Sequence, residues 1–300
     1  MSVNASVNNA RSLSEGHKSV RRCYLPHHPV VKEASTTTKV RVVFDASCKT
    51  SSGISLNDSL LVGPVVQKDL LRCRTKQFII VADVKKMFRQ IEVHPSDQSL
   101  QSILWRSSPT DEISIYELCT VTYGTKPAPF LATRTLRQLA MDEKVNFPLA
   151  ARAVLEDTYM DDVITGTDDA SEARILRSQL DGLMSSGGFR LRKYASNCLE
   201  ILANIPQENL AIPCSEGISL DPNPSIKTLG LTWMPVSDEF SVQFSLQPLD
   251  DSEPITKRRI LAIIATLFEP LGLLGATIAS AKIFMQLLWT LQDENGEKLN

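Results

Sequence analysis

The sequence predicts an α+β fold, a mainly antiparallel sheet flanked by helices, on three observations. Two adjacent carboxylates, Asp161 and Asp162, lie between the short apolar runs Ala153-Val154-Leu155 and Val163-Ile164-Thr165, which read as two strands joined by a hairpin turn. Phe78-Ile79-Ile80-Val81-Ala82-Asp83-Val84 is a β-rich apolar run, long enough for a buried strand. Helical stretches at 129–143 and 171–185 alternate with strands between residues 77 and 198. With 300 residues and 43% hydrophobic content, the chain can bury a large core divided into subdomains.

Taken in order, residues 1–22 are polar, rich in Ser and Asn, and begin no convincing element. They read as a leader or as the cut edge of a larger polyprotein. Residues 23–75 read as short strands with a Thr-rich loop at 35–38, and 206–254 as proline-punctuated strands and turns. A new helix starts at Thr256, whose hydroxyl can cap it. Residues 260–281 are apolar enough to suggest a membrane span, with Lys257-Arg258-Arg259 ahead of them like a topology signal. Glu269-Pro270 falls in the middle, however, and Gly272 and Gly275 follow. A central carboxylate opposes insertion and the proline splits the run, so two short helices are expected and no membrane partner. After Trp289 only a polar tail follows, which predicts no ribonuclease H or integrase segment in this chain.

The net charge of −2 conceals a segregation. From Lys18 to Arg41 there are six basic residues and one acid; from Ala153 to Ala173, six Asp or Glu precede Glu172 and no basic residue occurs. Two such surfaces cancel in the total, so overall pI does not argue against a nucleic-acid partner. The six cysteines form no Cys-x-x-Cys pair and follow no secretory leader, and they read as reduced, buried thiols of an intracellular protein. His27-His28 are strand neighbours that point to opposite faces, with no ligand-spaced partner, so zinc is not expected.

Chemistry concentrates on the acids. Neighbouring aspartates repel, and a fold that sets them side by side ordinarily neutralises them with a divalent cation. An Asp-Asp pair alone is more often a solvated turn, and an Asp at a strand end more often a turn or helix cap. Together, Asp83, Asp161 and Asp162 form a candidate set for two Mg²⁺ ions of the kind that support in-line phosphoryl displacement. Polymerases and two-metal nucleases share these parts.

The motifs around the acids discriminate. Tyr24 to Lys32 and Lys39 to Ser47, Asp83-Val84-Lys85-Lys86-Met87-Phe88, Tyr123 to Phe130, Tyr159-Met160-Asp161-Asp162, Gly188 to Asn197, and Leu229-Gly230-Leu231-Thr232-Trp233 follow one another as in reverse transcriptases. Within these the chain resembles the BEL/Pao group of LTR retrotransposons, from about Tyr24 to Trp289. The resemblance implies a right-hand polymerase core: fingers at 23–75, palm with part of the fingers and the primer-grip region at 76–250, and partial thumb helices at 251–300. It implies an RNA-directed DNA polymerase that extends a primer on an RNA or DNA template with deoxynucleoside triphosphates. Mg²⁺ would be the cofactor, with Mn²⁺ a substitute, and the partners would include other segments of a retrotransposon polyprotein. The setting would be cytoplasmic, in a virus-like particle if the element is intact.

Carried over residue by residue, Asp83, Asp161 and Asp162 would hold metal with the Val84 carbonyl. Lys193 would be a general acid, and Lys32 and Arg41 would clamp the triphosphate. Phe88, Tyr123 and Gly124 would contact the nucleotide, Phe88 beneath the sugar and Gly124 where a Cβ would intrude. Gly230 and Trp233 would belong to the turn that holds the primer. Tyr123 stands where retroviral enzymes carry glutamine, and Lys86 where they carry an acid, so nucleotide contacts would differ in detail. Three alternatives stand beside this reading. One is an inactive or domesticated fragment that binds nucleic acid, another an aspartic peptidase (no Asp-Thr-Gly or Asp-Ser-Gly is present), and the third a structural protein.

Overall fold

A strand occupies part of the segment that the sequence reads as a leader. The computed structural model describes residues 10–12, 21–31, 39–66, 76–212, 214–215, 218–219, 225–228, 231–241, 256–265 and 274–290. Within it β1 (Ala10–Ser12) pairs antiparallel with Tyr116 to Leu118, placing Arg11 opposite Glu117. Three residues carry no periodicity, so a pairing this remote is invisible in the local pattern. The hairpin of β2 (His27–Val31) and β3 (Val40–Phe44) follows. The one-turn helix α1 (Leu56–Ser59) is closed by a reciprocal capping box, Ser55 Oγ accepting from the Asp58 amide and the Asp58 carboxylate from the Ser55 amide.

The middle of the chain builds the scaffold. β4 (Phe78–Val84) forms where its apolar run predicts. After the short helix α2 (Pro95–Gln98), β5 (Ser102–Trp105) and β6 (Ser114–Leu118) complete a sheet of order β1-β6-β5. Leu25, Val42, Phe44, Leu56, Ile103 and Leu118 fuse the hairpin, α1 and this sheet into one apolar cluster.

Helices α3 (Ala128–Asp142), α4 (Pro148–Glu156) and α5 (Ala170–Ser186) alternate with β7 (Thr158–Tyr159), β8 (Asp162–Thr167) and β9 (Leu191–Ser196). The expectation that Ala153-Val154-Leu155 forms a strand is corrected here, because these residues are the last turns of α4. An Ala-rich run opened by Pro148 at its first position favours helix over strand. The Gln179 side chain of α5 supports that start by accepting from the amides of Leu149 (2.8 Å) and Ala150 (3.4 Å).

The strands assemble into a four-stranded antiparallel sheet of order β7-β8-β4-β9. Its faces follow the period-two alternation of β4. Ile80, Ala82 and Val84 join the core under the helices, with Leu136, Leu176, Leu180 and Met184, whereas Ile79 and Val81 pack with Ile164, Ala195 and Trp233 on the opposite face.

Short strands make up the next region: β10 (Cys214–Ser215) with β11 (Ile218–Ser219), and β12 (Ile226–Thr228), β13 (Leu231–Met234) and β14 (Glu239–Ser241) in one sheet. Helices α6 (Lys257–Ala265) and α7 (Gly275–Thr290) stand on either side of the Glu269-Pro270 segment, which lies outside the described residues. Thr256 Oγ1 accepts from the Arg259 amide at 3.2 Å, as a cap should. Among the described residues no helix is long and apolar enough to cross a membrane. The expectation of buried thiols is corrected: Cys48 is exposed, and Cys23, Cys119 and Cys198 are half-buried. The fold is thus mixed α and β with antiparallel sheets.

Candidate active site

Asp83 and Asp162 are direct cross-strand partners in the β4–β8 register. Both lie on the face opposite the helices, in phase with Val81 and Ile164. Asp161 sits in the turn that joins β7 to β8, where its carbonyl accepts from the Val84 amide at 2.7 Å. That turn has two residues, and Met160 adopts φ +53°, the left-handed conformation that a tight hairpin normally reserves for glycine. Lys86 (φ +52°) and Lys193 (φ +54°) share this conformation, so strained backbone borders the carboxylates on three segments.

Strand β9 supplies the cations. Leu191 and Tyr194 both face the helix core, although strict alternation would give opposite faces to residues three apart. A register shift between Val81 and Asp83 absorbs the discrepancy, and the extra residue is Lys193 in its left-handed conformation. The bulge sends two consecutive side chains to one acid. Arg192 Nε donates to Asp83 Oδ1 at 2.7 Å, and Lys193 Nζ to Asp83 Oδ2 at 3.0 Å. Arg192 was not singled out from sequence, since a bulge leaves no signature in residue type.

The electrostatics oppose ionisation of the other two acids. Burial, the neighbouring Asp161 and Asp83 together push Asp162 up to about 6, partly offset by Lys193. Asp161 is raised chiefly by desolvation, with Asp83 adding to it. Asp83 and Asp162 are like charges on facing strands, and Asp161 adds a third from the adjoining turn, where its residue stays exposed. Among the described residues no three His, Cys, Asp or Glu side chains stand close enough to hold a metal ion as they are. The donor set nevertheless suits a divalent ion: three hard carboxylate oxygen donors, two of them destabilised by a repulsion that such an ion relieves.

Other residues named from sequence fall in several places. Phe88 lies in the 3₁₀ turn Met87–Gln90, half-buried against the helix-side core. Tyr123 donates from its hydroxyl to the Val42 carbonyl at 2.6 Å and packs its ring on Phe44, 5.4 Å between centroids. Gly124, at φ +95°, gains a reason not foreseen, because a Cβ there would lie 2.5 Å from the Phe44 carbonyl oxygen. Its own carbonyl accepts from Asn57 Nδ2 at 3.0 Å, and Asn57 Oδ1 accepts from the Lys126 amide at 2.8 Å. Asn57, also missed in the sequence, therefore ties α1 to the loop ahead of α3. Arg41 is exposed on β3. Trp233 stands on β13 rather than in a turn, 1% exposed, with its indole N–H on Asp238. Lys32 and Gly230 lie outside the described residues.

The acidic run is largely structural apart from the pair. Asp168 binds Lys76, Asp157 accepts from the Thr165 hydroxyl, and Asp169 caps α5.

A family model described as Pao retrotransposon-like RNaseH-like domain matches residues 256–300. The match spans α6 and α7, the residues that the sequence reading gave to a thumb, and it replaces the expectation that this stretch has no RNase H-like character. It supports a pol fragment of a BEL/Pao retrotransposon and suggests an enzyme that acts on nucleic acid. No curated protein is significantly similar to the chain.

Proposed function

We propose that the chain is the polymerase part of a BEL/Pao-type pol protein, an RNA-directed DNA polymerase of fingers, palm and partial thumb. The observation that carries the reading is the pairing of Asp83 with Asp162 across β4 and β8, with Asp161 in the adjoining turn and Lys193 Nζ 3.0 Å from Asp83. Asp83, Asp161 and Asp162 would hold Mg²⁺, whose chemistry when bound is to sharpen a hydroxyl nucleophile and to neutralise charge on a transferring phosphoryl group. The primer 3′-oxygen forms a bond to the α-phosphorus of a deoxynucleoside triphosphate as the bond to pyrophosphate breaks. Lys193 would be the general acid that gives a proton to that leaving group. Lys32 and Arg41 would hold the triphosphate, the guanidinium fork suiting phosphate oxygens and the lysine adding a point charge. Tyr123 and Gly124 would contact the nucleotide, and Gly230 with Trp233 would help to hold the primer.

Primer extension on a poly(rA) template with oligo(dT), dTTP and Mg²⁺ tests the reading, comparing wild type with Asp161→Asn. Extension by wild type that the variant abolishes is the expected result. A folded, duplex-binding wild type that does not extend would favour an inactive or domesticated fragment instead.

A second reading rests on the match to the RNaseH-like family. The described residues of the matched segment contain no Asp or Glu; its acids are Glu269, Asp293, Glu294 and Glu297. Cleavage of the RNA strand of a hybrid, insensitive to Asp161→Asn, would favour this reading.

A further inference from the structure

His27 has no part in the carboxylate site, yet it lines a pocket of about 380 Å³ with Leu104, Trp105, Arg106, Pro109 and Ile113. Register brings these residues together. Tyr24 lies parallel to Ser102, and the Leu25 amide donates to the Ser102 carbonyl at 2.8 Å. Three residues further along both segments, His27 comes beside Trp105, with ring centroids 6.0 Å apart and planes at 42°. The turn after Trp105 closes the other side. It is fixed by the Ser108 amide donating to the Asp111 carboxylate at 2.9 Å and by the Ser108–Thr110 hydroxyl pair at 3.1 Å.

The lining has the chemistry of a nucleobase site. Trp105 and His27 are too far apart and too tilted to stack on one another, so ring surface is left to a ligand. Leu104 and Ile113 are 48% and 61% exposed, apolar surface that a planar heterocycle would cover. The polar groups suit the rest of a nucleotide. Arg106 is exposed and offers a guanidinium to phosphate. The Leu25 carbonyl accepts from His27 Nδ1 at 3.3 Å, which leaves Nε2 to accept from a base. Among the described residues no acid lines the pocket. The volume lies near the lower end of the about 300–1,000 Å³ of small-molecule sites, room for a nucleotide unit and not for a duplex. A paired base stays in its stack, so only an unpaired one can enter.

We propose that this pocket binds one unpaired nucleobase of a single-stranded nucleic acid, stacked on Trp105 and His27 with its phosphate on Arg106. The inference rests on the nucleic-acid reading of the preceding subsection and adds a single-strand contact outside the carboxylate site. The rings continue inward: Phe44 is 6.0 Å from His27 and 5.4 Å from Tyr123. The pocket and the loop expected to meet the nucleotide therefore border one aromatic row.

Fluorescence anisotropy tests the pocket, using the full chain with a labelled single strand, the same strand made abasic, and a blunt duplex. Wild type is compared with Trp105→Leu, Trp105→Phe and Arg106→Ala, with circular dichroism to verify folding. Trp105→Leu should bind the single strand about tenfold more weakly, and Trp105→Phe should stay near wild type because another ring restores the stack. The abasic strand should bind weakly and be indifferent to Trp105→Leu. Arg106→Ala, at an exposed position, should lower the salt slope on the single strand by about 0.7, the contribution of one phosphate. A folded Trp105→Leu with wild-type single-strand affinity, an unchanged salt slope in Arg106→Ala, or an equal loss on the duplex overturns the pocket even where wild type extends a primer. Loss confined to the base-bearing single strand upholds it even where wild type extends none. Competition by AMP as effective as that by the unlabelled strand overturns the strand as occupant, in favour of a free nucleotide.

Discussion

Asp162 carries an electrostatic cost in the folded chain. Its folded carboxyl titrates near 6, above the ordinary unfolded value, so between those two values the folded state binds more protons than the unfolded. The stabilising contribution of protonation is therefore complete below the unfolded value, about 4, and is lost as pH rises through about 6. Asp162→Asn should then raise the stability of the metal-free protein by about 1–2 kcal/mol at pH 8, and primer extension should vanish. Thermal melts at pH 8 and pH 4.5 check the sign: the gain should shrink at the lower pH, and a variant less stable at pH 8 would contradict it. Phe88 carries a second prediction. Its ring packs beside the carboxylate strand on the helix-side core, so Phe88→Ala should cost about 2–4 kcal/mol of stability. By the resemblance it should also relax discrimination against ribonucleotides. Equal rejection of ribonucleotides by wild type and variant would leave Phe88 a packing residue only.

At the scale of elements, legibility followed periodicity. β4, α3 and α5 were read almost to the residue because their apolar positions repeat at two or at three to four. The region before the Asp-Asp turn was misread because three apolar residues in isolation fit either state, whereas the longer Ala-rich stretch from Pro148 settles it as helix. Asp83, Asp161 and Asp162 were singled out through the motifs around them, since an Asp-Asp pair alone more often reads as a solvated turn. Arg192 and Asn57 could not be, since one reaches the site through a bulge and the other through a fold-dependent contact with the Gly124 loop. Asn57 joins Ser47, Gly124 and Lys126 in three hydrogen bonds while itself 7% exposed. Asn57→Ala strands a loop carbonyl and an amide, and should cost about 2–3 kcal/mol. It should also raise KM for the nucleotide more than it lowers kcat, because the loop next to Tyr123 loses its tether. A stable variant with unaltered kinetics would show that the loop holds itself.

Across the whole molecule, net charge is a poor guide to what the surface attracts. Three acids of the acidic run are engaged locally, Asp168 by Lys76, Asp157 by the Thr165 hydroxyl and Asp169 at the start of α5. The basic segment is divided too: Arg22 is committed to Glu117 at 3.0 Å and little exposed, whereas Lys39 and Arg41 face solvent on the hairpin side. A duplex bound through phosphates releases counterions in proportion to the cations that meet it, whatever the distant acids sum to. Affinity for template–primer should therefore fall steeply and log-linearly with KCl, with a slope of about −0.9 for each duplex phosphate neutralised. Arg22→Ala should lower the melting temperature and leave that slope unchanged, because its charge is already satisfied by Glu117. Anisotropy titrations over a series of KCl concentrations decide the matter. A flat salt dependence would mean that the net charge governs after all, and that the exposed hairpin cations do not face nucleic acid.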